Sequence, residues 1–248
     1  MLRIVRQIPN FITSVNLLSG SLAVIFAIDG HLTWAGIFIC IAALMDFFDG
    51  LAAKLLNSTS EIGKQLDSLA DVISFGLAPG AILFTLLEFS LFRINQPIYE
   101  IRGRWSDWLI LFSAFLVPVF GAFRLARFNA STSNESFFRG LPIPANALFW
   151  ASLGLMLEVP RYQEIFKHLY STVNLLILGI FFSGIMVINL PMFSMKFRSF
   201  GFKENWFRYV FLATAILLIT LFTVYGLALT IAMYIFYNVL FYIFNVKF

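Results

Sequence analysis

The sequence predicts an all-α fold, a polytopic helical membrane protein with about eight transmembrane helices. Three observations carry that reading. Of the 248 residues, 60% are hydrophobic and only 12% charged, and the mean hydropathy is +0.87. Soluble domains have roughly 45–50% apolar and about 25% charged residues, so this chain has too few charges to cover a water-facing surface. Apolar runs near the roughly 20 residues that span a bilayer recur along the whole chain. Finally, runs such as Phe211 to Phe222 lack the period-two alternation of barrel strands.

A short amphipathic lead over residues 1–10 carries Arg3 and Arg6, closes on Pro9 and Asn10, and suits the membrane interface. Spans are expected at about 11–28, 34–56, 66–92, 107–129, 144–159, 171–190, 206–225 and 228–245. The fifth begins within "GLPIPANA", where Pro142 and Pro144 fix its start. Only Gly226 and Leu227 separate the last two, which leaves one kinked or re-entrant segment as the alternative. The first apolar stretch lacks a small-residue cleavage site and reads as a span, not a removable signal. No hydrophilic domain or linker interrupts the series, so residues 1–248 read as one domain.

The formal net charge is +4. With the spans above, twelve of the 17 lysines and arginines fall on the side of both termini and five on the other. That bias makes both termini cytoplasmic in a cell-membrane protein. It accounts for the basic charge through anionic headgroups, with no nucleic-acid partner. Trp34, Trp105, Trp108 and Trp206 near span ends fit an aromatic belt. The single cysteine, Cys40, excludes an intramolecular disulfide and a thiolate zinc cluster.

One stretch breaks the apolar pattern. "LMDFFDGLAAKLLNSTSEIGKQLDSLADVISFG" (44–76) holds Asp46, Asp49, Asp67 and Asp71 at the ends of the second and third spans. An aspartate at the centre of a spanning helix costs roughly 2.5–3.5 kcal/mol, so four deep ones would cost on the order of 10 kcal/mol. Their spacing is helical: three residues within the first pair and four within the second, so each pair shares a face. A short turn joins the two spans, and the faces can converge. Four converging carboxylates repel one another and call for a divalent cation; oxygen-only ligands favour magnesium, manganese or calcium over zinc or copper. The plainer alternative is four interfacial caps. Gly50 and Ala53 leave a flat patch where a planar base or ribose can approach the backbone; Lys54 can neutralise a phosphate, and Gly63 sits one turn before Asp67. For the two glycines, close helix–helix packing is the rival explanation.

The order Asp46, Asp49, Gly50, Ala53, Lys54, Gly63, Asp67, Asp71 resembles the signature of the CDP-alcohol phosphotransferases, D-x2-D-G-x2-A-R-x8-G-x3-D-x3-D. Only Lys54 departs, standing where the family has arginine; it keeps the charge and loses the bidentate fork. "PNFITSVNLLSG" (9–20) resembles the family's N-terminal stretch, and "RLARFN" (124–129) and "FFRGLPIPANA" (137–147) resemble its serine-using branch. The resemblance thus covers about 9–150, the expected catalytic core.

The resemblance implies transfer of a phosphatidyl group from CDP-diacylglycerol to L-serine, with CMP as leaving group and Mg2+ or Mn2+ in a two-metal site. By resemblance Asp46, Asp49, Asp67 and Asp71 hold metal, and Asp71 is also general base. Thr13, Asn16, Gly50, Ala53, Lys54 and Gly63 would serve the donor's nucleotide and phosphates. Arg124, Arg127 and Arg139, on the same side, would hold an acceptor carboxylate or a phosphate; the positive-inside bias alone is their other explanation. The family also implies a homodimer with its active site facing the cytoplasm. Two rivals stand beside this reading: glycerol 3-phosphate or inositol phosphate as acceptor, and a divalent-cation transporter, which would spread acidic residues along a pore.

Overall fold

The computed structural model describes residues 7–58, 60–130, 138–159, 164, 167–193 and 201–244. The lead expected over residues 1–10 falls largely outside them. Pro9 does not close a lead; it lies in the first turn of α1 (Ile8–Ile28), where a missing N–H costs nothing. A tight turn at Gly30, with φ of +82°, returns the chain into α2 (Leu32–Leu55).

α3 (Glu61–Asp71) starts on Ser60, whose hydroxyl accepts the Gly63 N–H at 3.0 Å. It continues through a π-helical turn, Val72–Leu77, into α4 (Ala78–Phe92). This rod of 32 residues is buried from Ala78 to Glu88 and forms the centre of the bundle there. α1 lies against it, and Gly20 permits the approach: a Cβ there would sit 2.1 Å from Ser74 Oγ. Ser74 in turn donates to the Asn16 carbonyl at 3.0 Å, tying the π-turn to α1.

α5 (Trp105–Phe112), a single 3-10 turn and α6 (Leu116–Ala130) make the next rod. Its Pro118 nests against Gly76 and Gly80 of the central rod. A two-residue strand β1 (Phe138–Arg139) precedes α7 (Ile143–Glu158); α8 (Thr172–Val187) leads into β2 (Pro191–Met192), which pairs antiparallel with β1. α9 (Phe202–Phe222) and α10 (Val224–Ile243) complete the chain.

A helix lies at every predicted span. Among the described residues, six helical stretches are long and apolar enough to cross a membrane: α1, α2, the central rod, the α5–α6 rod, most of α9, and α10. The protein is therefore a multi-pass helical membrane protein. α7 and α8, predicted as spans, have 16 residues each, about 24 Å at 1.5 Å per residue, against a hydrocarbon core of about 30 Å. Most of α7 is buried within the bundle, so its apolar composition serves the core as well as lipid. The last two spans are separate helices. The break falls at Thr223, with φ of +55°, three residues before Gly226. Gly226 instead lets α10 fold back on α9, since a Cβ there would lie 2.1 Å from the Leu218 carbonyl. Trp34, Trp105 and Trp206 are exposed, as a belt requires.

Glu88, unremarked in the sequence, is buried near the far end of α4. Its carboxylate accepts from Asn95 Nδ2 and from the Gln96 N–H, both at 2.9 Å, and Asn95 also reaches the Ile28 carbonyl at 3.2 Å. The group clamps a loop onto the end of α1.

Candidate active site

α2 ends and α3 begins on the same side of the bundle, so the two aspartate pairs meet. Carboxylate oxygens of Asp46, Asp49 and Asp67 lie within 4.8 Å of one another. Asp71, one turn beyond Asp67, is within electrostatic reach of all three. Two unit charges about 5 Å apart repel by about 3 kcal/mol at an effective dielectric near 20. Three ionised pairs would therefore cost on the order of 10 kcal/mol, a cost a divalent cation offsets.

The residues present fit such a cation. Asp67 Oδ1 and Asp71 Oδ1 are buried and make no hydrogen bond among the described residues, and buried acceptors ordinarily have a partner. All the candidate ligands are hard oxygens. Asn16 is fully buried, with its side-chain amide beside the Asp71 carboxylate. Thr13 orients the cluster from α1: its hydroxyl is 2.7 Å from Asp49 Oδ2 and 3.0 Å from the Pro9 carbonyl.

Beside the carboxylates opens a cavity of about 430 Å³, lined from α1 by Pro9, Asn10 and Thr13, from α2 by Asp49, Gly50 and Ala53, and from the turn and α3 by Ser58, Ser60, Glu61, Gly63, Lys64 and Asp67. Of the predicted donor residues, Thr13, Gly50, Ala53 and Gly63 line it; Asn16 and Lys54 do not. Asn16 lies deeper, at Asp71, and Lys54 is exposed on the last turn of α2. The glycines differ. A Cβ on Gly50 would meet nothing within 4 Å, so it faces open space, not a neighbouring helix. A Cβ on Gly63 would lie 2.8 Å from Asn10 Oδ1 and 3.0 Å from Ser60 Oγ, so Gly63 admits α1. Lys64 was not singled out in the sequence, although its position three residues before Asp67 places it on the same helix face. Nothing in local spacing marks Asn10, Ser58 or Ser60.

The structure parts the arginines. Arg124 is partly buried, with electrostatic interactions to Tyr234 and Asp71, and its buried Nε has no hydrogen-bond partner among the described residues. Arg127 points elsewhere, donating to the Val187 carbonyl at 3.2 Å and to Asn189 Oδ1 at 2.6 Å. Arg139 contributes its backbone to β1. Asn129 donates to Ser68 Oγ at 2.9 Å, bracing α3 between Asp67 and Asp71.

Three carboxylates close enough to hold a metal ion, with Asp71 beside them, border a cavity floored by small residues in a helical membrane protein. The sequence model of the CDP-alcohol phosphatidyltransferase family matches residues 6–184, and the chain belongs to that family. A CDP-diacylglycerol–serine O-phosphatidyltransferase of Helicobacter pylori is 36% identical over 142 residues, 56% of this chain and 54% of that protein. One of Bacillus subtilis is 33% identical over 137 residues, 55% of this chain and 69% of its own. An archaetidylserine synthase of Methanothermobacter thermautotrophicus is 33% identical over 150 residues, 60% and 58% of the two chains. The match spans about half the length of the Helicobacter relative.

Proposed function

We propose that the protein transfers the phosphatidyl group of CDP-diacylglycerol to L-serine, releasing CMP, at an active site on the cytoplasmic side of the cell membrane. The observation that carries the reading is the convergence of Asp46, Asp49 and Asp67 within 4.8 Å beside a cavity of base-and-ribose size. The names of the relatives supply the acceptor.

In this reading the cavity takes the cytidine. Gly50 and Ala53 give the ring close approach, and Asn10, Ser58 and Ser60 offer hydrogen bonds at its rim. Lys64, and Lys54 from just outside, meet the diphosphate. Asp46, Asp49 and Asp67, with Asp71 at their edge, would hold two Mg2+ or Mn2+ ions. Bound there, the cations supply charge neutralisation for the attacking and leaving oxygens. Thr13 fixes the Asp49 rotamer by its hydrogen bond. Asp71, adjacent to the cluster without belonging to the tight triad, takes the proton of the serine hydroxyl. The serine oxygen forms its bond to the lipid-side phosphorus as the bond from that phosphorus to the CMP oxygen breaks. Arg124 faces Asp71 and is the group best placed to pair with the serine carboxylate. The catalytic core is residues 9–150, within one domain that acts as a homodimer.

Purified protein given CDP-diacylglycerol, a divalent cation and one acceptor at a time tests this. CMP release is expected with serine. Release with glycerol 3-phosphate or inositol phosphate, and none with serine, would reassign the acceptor.

A further inference from the structure

The family match ends at residue 184, yet the chain beyond it grips the site. α10 takes both backbone polar groups of Phe193: Asn238 Oδ1 accepts the N–H at 2.7 Å, and the Tyr234 hydroxyl donates to the carbonyl at 2.9 Å. Asn238 Nδ2 donates to the Tyr234 carbonyl at 2.7 Å, closing the motif. Phe193, Tyr234 and Asn238 are all buried. Polar side chains are costly inside a membrane bundle unless satisfied, and a hairpin that merely packed against its neighbours would not need them.

What they hold is the segment that runs from the end of α8 through β2 and borders the arginines. β2 pairs with β1, placing Arg139 opposite Pro191. The Gly140 N–H reaches the Leu190 carbonyl at 2.9 Å and the Leu141 N–H the Ile185 carbonyl at 3.1 Å. Gly140 has φ of +74°, and a Cβ there would lie 2.3 Å from the Met186 carbonyl, so the chain before α7 crosses the last turn of α8 in direct contact. Arg127 is anchored on Val187 and Asn189 of the same segment, and Tyr234 itself is within electrostatic reach of Arg124.

We infer that α10 belongs to the acceptor side of the site: through Tyr234 and Asn238 it clamps residues 188–193, to which Arg127 and β1 are tied, into a wall that holds Arg124 beside Asp71. The ligand this wall serves is a small acceptor bearing an anionic group. The inference rests on the reading above, in which Arg124 serves the acceptor. Tyr234 and Asn238 are positioning residues that touch no substrate.

The test is Tyr234→Phe, which keeps the ring and removes the hydroxyl, compared with the unaltered protein for CMP release. The acceptor KM is expected to rise about 5- to 10-fold, with the CDP-diacylglycerol KM unchanged. Asn189→Ala, an exposed change that unties the 188–193 wall from Arg127 of α6, guards against a folding failure of the first variant and is expected to raise the acceptor KM about threefold. An unchanged acceptor KM in either folded variant, or equal changes in the donor and acceptor constants, would overturn the inference. If the unaltered protein uses glycerol 3-phosphate in place of serine, the serine reading fails. The clamp is then judged by that acceptor's KM.

Discussion

The Thr13 hydroxyl lies 2.7 Å from Asp49 Oδ2, a contact between the first helix and the carboxylate cluster across 36 positions of sequence. It makes α1 part of the carboxylate site. Thr13→Val keeps the volume and removes the donor. Losing such an outer hydrogen bond typically costs 10- to 100-fold in metal affinity. A Mn2+ titration followed by electron paramagnetic resonance should therefore show at least tenfold weaker binding, with the thermal midpoint little changed.

Gly50 and Gly63 should respond differently to alanine. At Gly50 the new methyl enters open space, so stability should hold while the CDP-diacylglycerol KM rises several-fold as the cavity narrows. At Gly63 the methyl would press on Asn10 and Ser60, and overpacking of this kind costs typically about 1–3 kcal/mol. Thermal unfolding in detergent alongside donor kinetics separates the two.

Lys64 lines the cavity and Lys54 does not. Lys64→Ala is expected to raise the donor KM about tenfold or more, as loss of a charge-assisted contact does. Lys54→Ala should cost only a few-fold, and that loss should shrink further at high salt because an exposed charge is screened. Donor KM measured at two ionic strengths is the check.

Glu88 separates an enzyme from an ion pathway. It stands 17 residues beyond Asp71 on one continuous rod, about 25 Å away, and both its oxygens accept hydrogen bonds from the loop after α4. Glu88→Ala should lower stability by about 1–3 kcal/mol by stranding those donors and leave the kinetic constants within about twofold. Loss of cation flux in vesicles, with stability intact, would favour a transporter.

Much of this was legible because membrane helices write their composition directly. The eight apolar runs became helices, and the 3- and 4-residue aspartate spacing delivered two faces that meet. What composition could not carry was set by tertiary contact. The π-turn after Asp71 leaves no residue signature in "VISFGL". The last hairpin breaks at Thr223, and Gly226 three residues later permits the close approach to Leu218. Arg124 and Arg127 share a spacing but part company, since the carbonyl and amide that hold Arg127 lie 60 and 62 residues away.

Metal-dependent phosphatidyl transfer to serine at the aspartate cluster, as proposed, is read out by incorporation of labelled serine into lipid, followed through chelation and re-addition of metal. A loss of at least 100-fold is expected on chelation, restored by Mg2+ or Mn2+. Incorporation that persists at full rate after chelation would contradict it.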